Sequence, residues 1–479
     1  MTVVENLAGL YELATPKDGD MLYVKGFWDK NDGGGGFFIF DKFCTVNPFF
    51  DDTSYYKVGY NANYDGMVCK AENVADGRWI RQWDRGALNL RWFGALPDFS
   101  PSRDASFALN ASLAYAQFNV QSPKIANPNK GRANEPTTIP NPEITIFNYQ
   151  VYTRPGKTIY IPAGRYKFFS AINSIQYGVV IEGEGNMGAS SHGTRLLIFH
   201  EYTEVDEALT GVKRDEYGFL RYYANAANNS GGGLKNLSIS VENIHTNAKK
   251  DLNNGYDTNV IVLIAPDKTP SAGLTYCPAV SKWKAENVFI VMRARAKRAI
   301  YMRSYQEGGQ LPWRIRDIVL MNCKFAGGTL EGETIRAMNC LGLHIIGGTL
   351  SSGLGVHNKA IYPGIVLGGI YGCANTHLNG VDLTHASIKI EKKSLFTNID
   401  CSFGKLLIYN GSDKDHEGLQ VTKKFILNKR KNHPIELQCP INIDNNTVTF
   451  YKCYNNAHEI ENDTDADWMH NQDYPNTTV

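Results

Sequence analysis

Apolar and polar residues alternate in short segments through the middle of the chain, and six of these segments read as one unit repeated at irregular spacing. They are Lys235-Asn236-Leu237-Ser238-Ile239, Glu286-Asn287-Val288-Phe289-Ile290, Arg316-Asp317-Ile318-Val319-Leu320, Leu341-Gly342-Leu343-His344-Ile345, Thr376-His377-Leu378-Asn379-Gly380 and Thr397-Asn398-Ile399-Asp400-Cys401. Most join a small or Asn/Asp residue to alternating apolar positions, the period of a half-buried strand. The intervals run from about twenty to about fifty residues, and a fixed unit with variable insertions is the signature of a solenoid. No unit can bury its apolar face alone, so the units must stack. Asn and Asp tolerate left-handed backbone at corners, and stacked strands with such corners describe a parallel β-helix.

The flanks carry other patterns. Residues 1–90 read as a small, separate β domain. Met21-Leu22-Tyr23-Val24 predicts a strand, Asp32-Gly33-Gly34-Gly35-Gly36 a tight turn or bulge, and Phe37-Phe38-Ile39-Phe40 a second strand, with closure at Gly77-Arg78-Trp79-Ile80. A phosphate-cradling loop does not fit the glycine run, because neither a Lys-Ser/Thr pair nor a helical pattern follows it. Residues 91–405 are assigned to a capping helix and the β-helix. The helix runs from Ser106 to Ala116, with Asp104 or Ser102 as N-cap. Residues 121–143, rich in Pro, Asn and Lys, form an excursion before order resumes at Thr158. Residues 406–479 read as a short C-terminal cap or trimerisation piece, with a hairpin over Ile441–Phe450 and a loose tail from Glu459.

Several of these motifs occur together in a known family. The series Phe93-Gly94-Ala95 with Asp98, the Ala-rich helix, Ile161-Pro162-Ala163-Gly164 with Tyr166, and Ile181-Glu182-Gly183-Glu184-Gly185 with Thr194 resembles the opening of pectate-lyase-superfamily right-handed β-helices, bacteriophage tailspikes in particular. The unit with Gly26, Gly33 to Gly36 and Gly77-Arg78-Trp79 is similar to the small β domain that precedes the helix in tailspikes. The resemblance covers residues 20 to 200 by motif and 200 to 405 by repeat pattern. It departs from the family at Phe99-Ser100-Pro101-Ser102-Arg103-Asp104, where an Asp/Gly/Thr/Asp cluster is common. It implies an all-β, right-handed parallel β-helix that forms a homotrimer on a phage tail or baseplate. It further implies a virion protein that acts outside the cell on a bacterial surface polysaccharide.

Composition narrows the function classes. Lys+Arg 49 balances Asp+Glu 48, which gives no support for nucleic-acid binding. Gly 45 and Tyr 26, with few helix-forming runs, favour an all-β protein. No stretch approaches the ~18–20 apolar residues of a membrane span, and the start lacks signal-peptide character. The expectation is a soluble chain without membrane insertion. Nine cysteines at scattered positions, without a CxxC pair, predict buried core thiols at Cys323, Cys373, Cys401 and Cys453. Neither a metal cluster nor a cofactor is expected.

Candidate chemistry follows from aligning three coils. Ile300, Ile335 and Ile365, each followed two places on by Met302, Ala337 and Leu367, point inward. Tyr301 and Arg303, Arg336 and Met338, and Val366 and Gly368 then point outward. Tyr305 and Glu307 continue the first strand, and Arg221 and Tyr223 alternate the same way upstream. Tyr301, Arg303, Tyr305 and Arg336 suit an acidic glycan, since guanidinium forks meet carboxylates and aromatic faces stack on sugar rings. The same residues fit a solvated face, with Arg298 and Glu333 neutralising each other at equivalent corners.

Glycoside hydrolysis needs two carboxyl groups ~5–5.5 Å apart for retention or ~6.5–9.5 Å for inversion. Glu307, Glu331, Glu333 and Asp382 stand nearest the stripe, with Glu307 and Glu333 the preferred pair. A lyase would use Tyr301 or Tyr305 with Arg303. His344 and His377 read as structural, and Glu182 and Glu184 as turn chemistry. The function expected is a tailspike-like receptor-binding depolymerase cleaving a capsular polysaccharide endolytically, as a hydrolase before a lyase. A glycan-holding adhesin and a free lyase or epimerase unconnected with a virus are the alternatives.

Overall fold

The structure, a computed structural model, describes residues 2–51, 60–84, 86–97, 104–117, 124–126, 138–140, 158–176, 178–185, 193–199, 216–224, 229–242, 258–265, 279–305, 313–329, 333–350, 363–391, 394–408, 419–422, 435–437, 448–451, 453–455 and 458–460. The chain divides into two compact units. Residues 1–172, 179–184 and 192–194 form the first, and residues 173–178, 185–191 and 195–479 the second.

The first unit opens with a five-stranded sheet. Met21–Val24, Gly36–Asp41, Val74–Arg81 and Val68–Ala71 pair antiparallel, and Thr2–Val4 joins the edge in parallel. Alternation buries Leu22 and Val24 on one face of the first of these strands. The glycine run is a close-approach turn. A Cβ on Gly35 would lie 2.5 Å from the Val24 carbonyl oxygen, and Asp32 accepts from the backbone N–H groups of Phe27, Trp28 and Gly34. The carbonyls freed there at Gly34 and Gly35 accept from Arg81, a buried guanidinium that stacks on Phe38 and Trp92.

Asp104 caps the helix Ala105–Ala116 through the Ser106 N–H, and it also accepts from Phe169 N–H and the Ser170 hydroxyl. The helix is buried on almost every position rather than amphipathic, as its Ala-rich sequence allows. Its Tyr115 hydroxyl donates to Asp65, so the helix is tied to the β domain that precedes it in the chain. In the same unit Thr158–Ile161 and Val180–Gly183 pair in parallel, with Ile159 opposite Ile181. Glu184 and Thr194 close the turn here. Glu184 accepts from Ala163 N–H, and Thr194 donates to the Ile161 carbonyl.

The second unit is a parallel β-helix. The described strands of successive coils pair in parallel, including Leu237 opposite Val288 and Ile239 opposite Ile290, then Ile290 opposite Phe325 and Phe325 opposite Leu350. These side chains fill the coil interior. The repeat seen in sequence belongs to two corners, not one. Asn236, Asn287, Asn322, Gly347 and Gly380 stack at one corner with φ of 53°, 52°, 52°, 61° and 65°. Gly231, Lys282, Asp317, Gly342, Asn375 and Phe396 stack at the other with φ of 80°, 54°, 57°, 71°, 52° and 50°. Left-handed backbone at a fixed place in every coil turns the chain there, and Asn, Asp and Gly adopt it at least cost. The Asn287 side-chain amide donates to Asn236 at 3.1 Å, which links one corner to the next.

Cys323, Cys373 and Cys401 are buried, whereas the side chain of Cys453 lies outside the described residues. No described helix is long and apolar enough to cross a membrane. The tail from Glu459, the hairpin before Val448 and the excursion at 121–143 fall largely outside the described residues.

His344 and His377, one coil apart, stack with ring centroids 5.0 Å apart and planes within 2°. Burial first, and then the His377 charge, push His344 below its ordinary pKa, against an opposing pull from Asp317. A histidine depressed in the folded state binds more protons unfolded, so stability is complete above about pH 6.5 and falls as pH drops through that value. The melting temperature is therefore expected to be lower near pH 5.5 than near pH 7.5, with a smaller difference in His344→Gln. Equal pH dependence in the two proteins would sink this assignment.

Candidate functional site

The predicted three-coil alignment is the register of the structure. Ile300, Ile335 and Ile365 lie opposite one another, as do Tyr301, Arg336 and Val366, and Arg303, Met338 and Gly368. Two more coils extend the same face. Val262 and Ile264 lie opposite Tyr301 and Arg303, and Arg221 and Tyr223 lie opposite Val262 and Ile264. The face is thus carried by Gly218–Tyr223, Asn259–Ala265, Ile300–Ser304, Ile335–Met338 and Pro363–Gly368.

It is not the solvated stripe that alternation suggests. Val262, Ile264 and Val366 are buried although they point away from the coil interior, and Tyr301 is only 4% exposed. Tyr223, Tyr305 and Met338 pack on the Val262–Ile264–Tyr301 cluster. The run Asn259-Val260-Ile261-Val262-Leu263-Ile264-Ala265, apolar at nearly every position, is the pattern of a strand buried on both faces.

Charged groups are threaded through this apolar layer. Arg298 lies over the Tyr301 ring at 5.1 Å, and Arg303 lies over the Tyr305 ring at 3.9 Å while donating to the Tyr301 hydroxyl at 3.3 Å. The Tyr305 hydroxyl donates to Glu216, and Arg221 lies over Tyr223 and donates to Ser174. Burial first, then the hydrogen bond and charge of Glu216, push the Tyr305 phenol far up, so it stays protonated. Burial likewise raises Tyr223.

Glu333 pairs with Arg298, as the corner positions suggest, and also with Arg336, at 2.8 Å and 2.5 Å, one oxygen to each. Arg336 goes on to Glu391 at 3.0 Å, and Lys389 meets the other oxygen of Glu391 at 2.9 Å.

The structure therefore brings together Tyr301, Arg303, Tyr305, Arg336 and Glu333. Asp382 does not join them. It is exposed on another side of the coil, opposite Thr349 and Ser402. Glu307 and Glu331 lie outside the described residues. Glu216 and Glu391 were missed, although Glu216 stands just before the upstream Arg/Tyr strand, where an acidic residue could have been noted. Among the described residues no three His, Cys, Asp or Glu side chains are grouped to hold a metal ion.

No protein-family model and no curated protein sequence matches the chain. Among solved structures, the gp49 tailspike of Acinetobacter baumannii bacteriophage Fri1, a capsular polysaccharide depolymerase, is 10% identical, with a TM-score of 0.42 over 88% of this chain and 66% of its own. The chain is similar to phage tailspikes. The enzymatically active domain of bacteriophage CBA120 tailspike protein 2 is 13% identical, with a TM-score of 0.42 over 88% of this chain and 52% of its own. The gp42 tailspike of Acinetobacter phage vb_AbaP_AS12 is 13% identical, with a TM-score of 0.39 over 96% and 76%. The chain thus spans about two thirds of the first of these proteins and about half of the second.

Proposed function

We propose that the second unit binds an acidic bacterial surface polysaccharide along this face and cleaves it endolytically, as a tailspike-like receptor-binding depolymerase of the glycoside-hydrolase type. The observation that supports the reading is the interleaving of Arg221, Arg298, Arg303 and Arg336 with Tyr223, Tyr301 and Tyr305 on and beside three of the stacked strands. Of these, the half-buried Arg303 with Tyr223 and Tyr305 at its side is what a ligand can reach, a guanidinium for uronate or other sugar carboxylates beside aromatic groups for the rings. Glu307, two residues past Tyr305, remains the candidate acid. Glu333 spends both oxygens on arginines and is better suited to holding guanidiniums than to proton transfer.

A panel of bacterial capsules tests the reading, with new reducing ends counted while absorbance from unsaturated products is followed. Reducing ends without absorbance mean hydrolysis, and both signals mean elimination. Elimination is the second reading, favoured by Arg303 sitting between the Tyr301 hydroxyl and the Tyr305 ring. Binding with neither signal leaves an adhesin.

Arg303→Ala is expected to weaken acidic-glycan binding about 10–100-fold, the range of a charged hydrogen bond or two, with a smaller loss of melting temperature than Arg336→Ala. Unchanged binding would remove Arg303 from the site. Arg336→Ala is expected to cost stability as well, because Arg336 is held by both Glu333 and Glu391. The working form in this reading is a homotrimer attached to a phage tail or baseplate, acting outside the host cell. A monomer by light scattering at micromolar concentration would refute the trimer.

A further inference from the structure

Glu216 takes no part in the Arg298–Glu333–Arg336–Glu391 network, and its place in the coil stack differs from that of every other described carboxylate near the face. It lies two residues before the strand Gly218–Tyr223, while its partner Tyr305 follows the strand Ile300–Ser304, two coils further on. The two groups meet at the apolar layer, where Tyr305 packs on the Val262–Ile264–Tyr301 cluster of the middle and third coils. The phenol donates to Oε1 of Glu216. Its ring is clamped under Arg303, which is itself tied to the Tyr301 hydroxyl. Glu216 is half-buried, so water and a ligand can reach it.

A carboxylate fixed through one oxygen by a donor that keeps its proton has its other oxygen aimed and available. That is the arrangement a general base requires. A simple pin between coils would not need the arginine stack that immobilises the phenol.

We infer that Glu216 is the general base of the proposed glycan cleavage and that Tyr305 is its positioning residue. The inference rests on the function proposed above. In the step, a water between Glu216 Oε2 and the anomeric carbon gives one proton to Glu216 as its oxygen bonds to that carbon. The glycosidic C–O bond breaks, its electron pair leaves on the departing sugar oxygen, and that oxygen takes the proton of the candidate acid, which regains one from the solvent. Glu216 then returns its proton to water, so one water is consumed for each bond cleaved. Direct attack by water inverts the anomeric configuration.

The test uses the full chain, with a capsule that the wild type cleaves, and compares Glu216→Gln and Tyr305→Phe. Glu216→Gln is expected to lower kcat about 10²–10⁴-fold with KM and melting temperature nearly unchanged, and to lose the acidic limb of the pH–rate profile. Tyr305→Phe is expected to fall less, with the limb shifted rather than lost. Freshly released products are expected to show inverted configuration by NMR. If the wild type hydrolyses glycan and Glu216→Gln matches its rate, the role of Glu216 is wrong while the proposed function stands. That role is equally overturned if Glu216→Gln loses only melting temperature or only binding, or if configuration is retained. A wild type that releases unsaturated products, or cleaves nothing in the panel, overturns the hydrolase reading itself and the base with it.

Discussion

Glu333→Ala is expected to destabilise the coil stack by about 3–5 kcal/mol, the cost of leaving buried charges without their partner. Glu333 is 8% exposed and Arg298 9%, so water can do little to replace the lost carboxylate. Its two oxygens each serve one guanidinium, which makes Glu333 the link that neutralises two coils at once. Glu333→Gln keeps the shape and one acceptor and is expected to lose less. The double variant Arg298→Met with Glu333→Leu is expected to recover much of the loss, since an apolar pair of similar volume avoids burying charge. Chemical denaturation of the single and double variants measures this. A cost for Glu333→Ala below about 1 kcal/mol, the value of an exposed pair, would show that the cluster is solvated. Lost cleavage by Glu333→Gln with an unaltered melting temperature would return this residue to the chemistry.

The second large effect is expected in the first unit. Asp65 is fully buried and accepts from the backbone N–H groups of Phe49, Met67 and Val68 at 2.5, 2.9 and 2.9 Å and from the Tyr115 hydroxyl at 2.5 Å. Burial pushes its carboxyl upward, and these donors pull against it. Asp65→Ala strands several buried donors, each worth about 1–3 kcal/mol when unpaired, so a loss of at least about 3 kcal/mol is expected. Asp65→Asn retains one acceptor oxygen and is expected to lose roughly half as much. Hydrogen exchange should show the helix Ala105–Ala116 opening together with the five-stranded sheet. Exchange confined to either alone would mean that the Asp65–Tyr115 bond does not couple them.

Much of the second unit was legible in sequence because β-helix coils repeat a strand pattern. The inward residues of Ile300-Tyr301-Met302, Ile335-Arg336-Ala337 and Ile365-Val366-Leu367 are enough to set the register. The corners were legible only in part. Asn236, Asn287 and Asp317 advertise left-handed backbone, but Lys282 and Phe396 adopt it without any such signal. Asn287 and Asp317 therefore looked like one column although they occupy two. The separateness assigned to residues 1–90 missed the Tyr115–Asp65 bond, because no spacing rule connects a helix to a buried carboxylate fifty residues earlier. The Glu216–Tyr305 bond was hidden for the same reason, spanning eighty-nine residues. Alternation also could not say what lies over an outward side chain, so Tyr301 was expected in solvent and is buried.

The two left-handed corner columns have a consequence for how such a protein can diverge. Where the chain must turn within one or two residues, as at Gly347-Gly348, even a Cβ on Gly348 would come within 2.0 Å of the Cys323 carbonyl oxygen, so the turn admits no side chain there. Long segments join consecutive strands between Val241 and Asn259, Ala265 and Val280, Ser304 and Ile315, and Leu350 and Pro363, and length changes are tolerated best in connections. Each of these segments enters or leaves a strand of the Arg/Tyr face. Under the proposed function, exchanging whole connections between related chains should change which glycan is bound while the stacked frame stays intact.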